Sequence, residues 1–141
     1  RMVRALSLAA LLAIAVGACS PGAWPLATYR SNGAMDALFI GRLILTDRCA
    51  FLEHLDGERV MLALLVDESR WTWDPGARQL VVNNDGETLR FGNGSLIWMG
   101  GGGMPSDVAD GWVVPPNPEC RVPSTFFASG DIRAPDPNDF Q

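Results

Sequence analysis

The sequence predicts an all-β domain, with a small antiparallel and partly open barrel as the favoured architecture and a β-sandwich as the alternative. Eight or nine short apolar segments follow one another after residue 37, at spacings of about 8 to 12 residues, and clusters of Gly, Asn, Asp and Pro separate them. No segment beyond residue 18 keeps a helical apolar period over a helix-sized length, which disfavours an α/β arrangement. These observations predict one β domain at residues 37–133.

The first half of this domain predicts three strands joined by tight turns. Residues 38–46 have the composition of a strand, in which Gly41 indicates a bulge or a bend, and residues 49–54 follow after a short turn. The pair Asp56-Gly57 is the strongest hairpin signal, because Gly accepts the positive φ that such turns need. Residues 60–66 are almost entirely apolar and predict a buried strand, although their period also fits one side of a helix.

The second half continues the pattern with shorter segments. Trp71 and Trp73 flank a threonine, so both indoles are expected on one face of a strand. Turn signals rich in Gly, Asn and Asp separate the remaining candidate strands, which are residues 71–73, 80–82, 88–91, 95–99, 112–114 and 125–132. The strand number and the domain length fit a barrel of the OB type.

The charge of the chain excludes one class of partner. The 141 residues carry a formal net charge of −5. Removing residues 1–18 takes away two positive charges, Arg1 and Arg4, and leaves 123 residues with a net charge of −7. An acidic protein of this size argues against nucleic acid as a partner and against electrostatic attachment to anionic lipid.

The N-terminus has the organisation of an export signal. Arg4 precedes residues 5–16, an apolar run too short to cross a bilayer comfortably, and the run Val16-Gly17-Ala18-Cys19 follows. This segment resembles a bacterial lipoprotein signal peptide, with Val16 to Cys19 as its lipobox. The resemblance implies that residues 1–18 are removed and that Cys19 carries a diacylglycerol thioether and acyl chains, such as palmitate, as the first residue of the mature protein.

This resemblance implies a location in the cell envelope, lipid-anchored on the extracytoplasmic side. Ser20 follows the cysteine where an aspartate is associated with inner-membrane retention, so the implied site is the outer membrane of a Gram-negative cell and the cell membrane otherwise. Two alternatives stay open: a soluble secreted protein cleaved after Ala18, and a cytosolic protein with an apolar N-terminal helix.

Two flanking segments are expected to lie outside the folded domain. Residues 19–36 are rich in small residues and proline and predict a lipidated N-terminus followed by a flexible tether. Residues 134–141 predict a loose C-terminal tail.

Cys49 and Cys120 remain as a pair once Cys19 is assigned to lipid. An even number of cysteines in an exported protein predicts a disulfide. The alternatives are two free buried thiols or a metal site, although neither cysteine has a second Cys or a His at zinc-like spacing. The loop closed by the bond would stabilise the fold by roughly 4 kcal/mol in the chain-entropy model.

The sequence predicts no catalytic residue, no metal site and no cofactor. His54 has no orienting partner on its own face of the strand, since neighbouring strand residues point in opposite directions. The run Gly100 to Gly103 lacks the Gly-Lys-Ser/Thr of a phosphate loop and predicts a flexible turn or a close backbone crossing instead. The local acidic pairs, 67 with 68, 107 with 110 and 136 with 139, are expected to be solvated.

Trp71 and Trp73 are the candidate binding surface, because an exposed tryptophan pair suits sugar and protein contacts. The alternative is that both pack in the core. The resulting functional prediction is a binding or structural module of the bacterial cell envelope, held to the membrane through Cys19, with an envelope protein or a glycan as partner. The alternatives are an envelope enzyme such as a cell-wall hydrolase, and an assembly factor for an envelope complex.

Overall fold

The computed structural model describes residues 25–30, 36–66, 70–106 and 111–141, and these residues form an all-β fold, as the sequence predicts. The predicted signal peptide, Cys19 and the first part of the predicted tether lie outside the described residues. The ordered elements are two 3-10 helices, Pro118–Cys120 and Pro137–Phe140, and ten strands: β1 Ala27–Tyr29, β2 Ala37–Leu45, β3 Ala50–His54, β4 Arg59–Leu65, β5 Trp71–Asp74, β6 Gln79–Asn84, β7 Glu87–Phe91, β8 Leu96–Pro105, β9 Trp112–Val114 and β10 Ser124–Arg133.

Five of the strands close into a barrel in the order β2-β3-β4-β10-β8. Neighbouring strands in this barrel are antiparallel except β4 and β10, which pair in parallel from Met61 and Thr125 to Leu64 and Ala128. This parallel pair closes the barrel that the sequence predicted as antiparallel and partly open. Its two strands are about 60 residues apart, so no hairpin signal could predict their pairing.

The barrel interior holds the main core. Alternate residues of each strand point inward, and Leu43, Leu52, Leu62, Ile97 and Met99 are fully buried there. Three further strands form the separate sheet β5-β6-β7, and it packs on the same core through four buried side chains, which are Trp73, Leu80, Val82 and Phe91. In the part of the chain that the structure describes, no helix is long and apolar enough to cross a membrane.

β1 and β9 form an outer layer over the barrel. β1 pairs in parallel with β4 and antiparallel with β9, which places Tyr29 against Phe127 with the ring centroids 4.7 Å apart. The Tyr29 hydroxyl donates a hydrogen bond to the carbonyl oxygen of Ala128. These contacts correct the prediction of a flexible tether over 19–36, because residues 25–29 are buried and β1 belongs to the domain.

Two glycines are needed because other groups occupy the space of a Cβ atom. A Cβ atom at Gly41 would overlap the Glu53 carbonyl oxygen and the Phe39 ring, so Gly41 makes room for an aromatic core residue. The register with β3 and β8 runs through Gly41 without a shift, so the predicted bulge is absent at this position. A Cβ atom at Gly101 would overlap the carbonyl oxygen of Phe127. The run Gly100 to Gly103 lies in β8. Its backbone passes close to that of β10 at Phe127, so the predicted close backbone crossing is present and the alternative, a flexible turn, is not.

The C-terminal segment is ordered, contrary to the predicted loose tail. Arg133 donates two hydrogen bonds to the carboxylate of Asp139, at 2.9 and 3.0 Å, and its guanidinium lies 4.3 Å from the centre of the Trp98 ring. Asp136 and Asp139 form a capping box around the helix Pro137–Phe140. Two carboxylates that the sequence predicted to be solvated therefore fix the last turn of the chain.

Candidate functional site

A disulfide bond between Cys49 and Cys120 joins two turns of the barrel, as the sequence predicts. The Cα atoms are 5.4 Å apart across a sequence separation of 71 residues. Cys49 lies between β2 and β3, and Cys120 ends the 3-10 helix Pro118–Cys120. Both cysteines are buried.

Polar contacts hold the two turns together around the disulfide. The Asn117 side chain donates a hydrogen bond of 3.0 Å to the carbonyl oxygen of Arg48. The Arg48 guanidinium lies 3.3 Å from the Glu119 carboxylate. On the other side, Arg78 donates to the carbonyl oxygen of Thr46 at 2.6 Å. The β2–β3 turn is therefore fixed from two directions as well as by the covalent bond.

An open cleft of about 410 Å³ lies over this junction. We call it the disulfide cleft, and its lining residues are Thr46, Asp47, Arg48, Cys49, Phe51 and Glu119. Half-buried Phe51 gives it an aromatic surface, and exposed Asp47, Arg48 and Glu119 give it charges of both signs. Such a lining suits the binding of a group with one apolar part and several polar ones.

The single histidine, His54, and its neighbour Glu53 lie outside the disulfide cleft. The exposed His54 ring contacts Phe39, with the centroids 4.6 Å apart, while the carboxylate of Glu53 pairs with Arg59 at 2.8 Å. His54 is not among the residues that line the disulfide cleft. Among the described residues, no three His, Cys, Asp or Glu side chains come close enough together to hold a metal ion.

Five of the described carboxylates form ion pairs with arginines. Each of five carboxylates has its own arginine on another element or turn, and the pairs are Glu53–Arg59, Asp74–Arg90, Glu119–Arg48, Asp131–Arg70 and Asp139–Arg133. The pKa of Asp74 is lowered, first by the backbone amide of Ala77 and then by Arg90. The acidic pairs at 67–68 and 107–110 lie outside the described residues. These contacts favour the ionised form of a carboxylate, which suits a structural pair better than a general acid.

The tryptophan pair belongs to the core, which was the alternative to a binding surface. Trp73 is only 8% exposed and packs in the barrel core, with the guanidinium of Arg78 6.0 Å from its ring centre. Half-buried Trp71 packs against the same core and donates its indole N–H to the carbonyl oxygen of Leu65 at 3.1 Å. The prediction that Trp71 and Trp73 form an exposed binding surface is therefore wrong.

Only the cysteine pair of the disulfide cleft was predicted from the sequence, and the other lining residues were not. Cysteine parity identifies Cys49 and Cys120, and the residues next to them, Arg48 and Glu119, could have been expected to meet across the bond. The position of Phe51 beside them follows from the strand register, which the sequence alone does not give. Searches of known protein families, curated proteins and solved structures found no match for this chain.

Proposed function

We propose that this protein is a lipid-anchored binding module of the bacterial cell envelope, and that the disulfide cleft is where it holds its partner. The sequence from Arg4 to Cys19 supports export and lipidation. The Cys49–Cys120 bond supports an oxidising compartment, because such bonds persist outside the cytosol.

The observation that carries this proposal is the lining of the disulfide cleft. Phe51 offers an aromatic surface beside three charged side chains, and the disulfide holds the two turns that carry them at a fixed distance. A site that is already fixed loses less entropy when it binds than a flexible site does. The lining suits an extended polypeptide segment, with an apolar side chain against Phe51 and polar groups along the charged rim.

An envelope hydrolase would need a base or a carboxylate pair in the same place. The disulfide cleft holds two carboxylates, Asp47 and Glu119, but Glu119 is paired with Arg48, and His54 is not among the residues that line the cleft. The binding role is therefore the function that this geometry supports best.

Photo-crosslinking in living cells tests the proposal. Benzoylphenylalanine at Asp47, on the rim of the cleft, is expected to give one adduct of defined mass with an envelope protein. The same group at Glu58, in the exposed turn between β3 and β4, is the matched control and is expected to give none. Equal adducts from both positions, or none from Asp47, would overturn the proposal. An adduct whose mass falls on digestion with a muramidase would replace the polypeptide partner with a glycan.

A further inference from the structure

The start of β1 fixes where the N-terminal segment leaves the domain. On one edge of β4, the pairing with β3 ends at Met61 and the pairing with β1 begins at Ala63. Pro25 and Leu26, just before β1, are already buried. The chain therefore leaves the domain beside the start of β3.

The distance from this point to the proposed lipid is short. Cys19 precedes Pro25 by six residues. Six residues span at most about 20 Å even when fully extended. A lipid on Cys19 would therefore keep this side of the domain close to the membrane surface.

The β9 side of β1 carries exposed apolar residues, with the exposed Arg30 at its far end, where the Arg30 amide donates to the Gly111 carbonyl oxygen. β9 pairs with β1 through Val114 opposite Thr28 and forms the outer edge of the sheet. Val113 is 50% exposed and Val114 is 38% exposed, and the exposed Pro115 follows. No charged residue occurs between Gly111 and Glu119. Edge strands of soluble proteins usually carry charged residues or proline, which prevent pairing with the strands of other molecules. β9 itself carries no charged residue, and Pro115 follows it.

The opposite end of β4 has a different character. The β3–β4 turn includes Asp56 and Glu58, and it lies beyond Arg59 at the far end of the strand from β9. Six residues of β4 separate the two regions, which is about 20 Å along the strand. The β3–β4 turn therefore lies away from the point where the anchor segment enters, whereas Asp47 and Arg48, just before β3, lie near it.

We propose that the β9 edge, formed by Val113, Val114 and Pro115, lies in the interfacial region of the membrane and orients the domain on it. This inference rests on the proposed lipidation of Cys19. Three residues bury too little apolar area to hold a protein on a bilayer, so the lipid attaches the domain and the β9 edge sets its orientation. Half-buried Trp112 supports the edge from behind, with its ring centre 5.7 Å from that of Phe127.

Fluorescence quenching on vesicles tests this orientation. The lipidated full chain carries one new thiol, from Val113→Cys or from Leu55→Cys, labelled with the fluorophore NBD and reconstituted into phosphatidylcholine vesicles. The two positions are matched, because both side chains are exposed and aliphatic, Leu55 being 64% exposed. Nitroxide-labelled lipid is expected to quench NBD at position 113 and to leave NBD at position 55 unchanged. Adding Val114→Asp is expected to reduce the quenching at position 113, because a charge resists the interface.

The outcomes separate this inference from the proposed function. Equal quenching at positions 113 and 55, in protein whose Cys19 is lipidated by mass spectrometry, overturns the orientation and leaves the anchored binding module in place. An unmodified Cys19 thiol overturns both. Stronger quenching at position 55 would mean that the domain lies on the membrane the other way round, which also overturns the inference.

Discussion

Arg48 and Glu119 form an ion pair across the disulfide cleft, each residue being the neighbour of one of the two bonded cysteines. The guanidinium nitrogen and the carboxylate oxygen are 3.3 Å apart, and both side chains are more than half exposed, at 66% and 54%. An ion pair in such an exposed position contributes at most about 1 kcal/mol to stability. Its effect is therefore on the arrangement of charge in the cleft rather than on the fold.

Reversing the charge of Arg48 is expected to abolish partner binding without unfolding the domain. In the protein with the crosslinker at position 47, Arg48→Glu leaves two carboxylates and no cation around Phe51, so the adduct should disappear while the melting temperature changes little. The double variant Arg48→Glu with Glu119→Arg restores an ion pair of opposite polarity. We expect it to remain defective, because the partner meets the reversed pattern. An undiminished adduct in Arg48→Glu would contradict the role of the cleft.

Loss of the disulfide is expected to lower stability substantially. The bond closes a loop with a sequence separation of 71. The chain-entropy model assigns such a loop roughly 4 kcal/mol of the free energy of unfolding. Denaturant titration of the Cys49→Ser/Cys120→Ser variant should show a lower midpoint than the parent protein. Cys19→Ser is the control and should unfold at the parent midpoint.

Adding one methyl group at Gly41 is expected to destabilise the barrel. Gly41→Ala would force its Cβ atom into the Glu53 carbonyl oxygen and the Phe39 ring, and overpacking of this kind costs about 1–3 kcal/mol. Gly76→Ala is the matched control, because the nearest atom to its Cβ, in the Asp74 carboxylate, is 3.5 Å away. Equal unfolding midpoints for the two variants would show that the barrel can absorb the extra atom at Gly41.

The order of the C-terminal segment is expected to depend on acidic pH. The hydrogen bonds from Arg133 hold the pKa of Asp139 below its ordinary value of 3.8, and the backbone amide of Asp136 adds to this effect. A carboxyl group with a lowered folded-state pKa stabilises the fold fully above its ordinary pKa, and this contribution is lost as the pH falls through the folded value. Amide exchange in residues 138–140 should therefore accelerate as the pH falls below 3.8, after correction for the intrinsic rate.

The Asp139→Asn variant provides the comparison for this pH dependence. It is expected to exchange rapidly in this segment at neutral pH and to show no further acid transition there. Asp85→Asn, in the distant β6–β7 turn, should keep the parent behaviour. A transition that survives in Asp139→Asn would assign it to another group.

Lipidation of Cys19 makes a direct prediction about partitioning. The parent protein is expected in the detergent phase of a Triton X-114 separation, with a modified N-terminal cysteine by mass spectrometry. Cys19→Ser should move to the aqueous phase or remain as an uncleaved precursor, because serine cannot form the thioether. An unmodified Cys19 in the parent, together with the same partitioning of parent and variant, would be incompatible with a lipid on this residue.

Strand positions were predictable where apolar residues alternate or cluster between strong turns. The segments around Leu43, Leu52 and Leu62 became β2, β3 and β4 within one or two residues. β1 was missed because three residues between proline-rich and small residues carry no periodicity. The parallel pairing of β4 with β10 depends on contacts distant in sequence, for which no local pattern exists.

Of the disulfide cleft, only the Cys49–Cys120 bond could be predicted from the sequence. Once Cys19 is assigned to lipid, cysteine parity predicts the Cys49–Cys120 bond. The disulfide cleft itself depends on the register that brings Phe51 beside the helix ending at Cys120, and the tryptophan composition pointed elsewhere. Tryptophan is common both in protein cores and on binding surfaces, so composition alone could not show that Trp73 is buried in the core.

The burial of Leu26 and Tyr29 decides which fragments of this chain can fold. A version trimmed to residue 37, the start suggested by apolar pattern alone, would lose β1 and expose Phe127 on the outside of the barrel. We expect this version to aggregate on expression, because an exposed apolar face and an unpaired strand edge promote association between molecules. A version that begins immediately before Pro25 keeps every described core side chain.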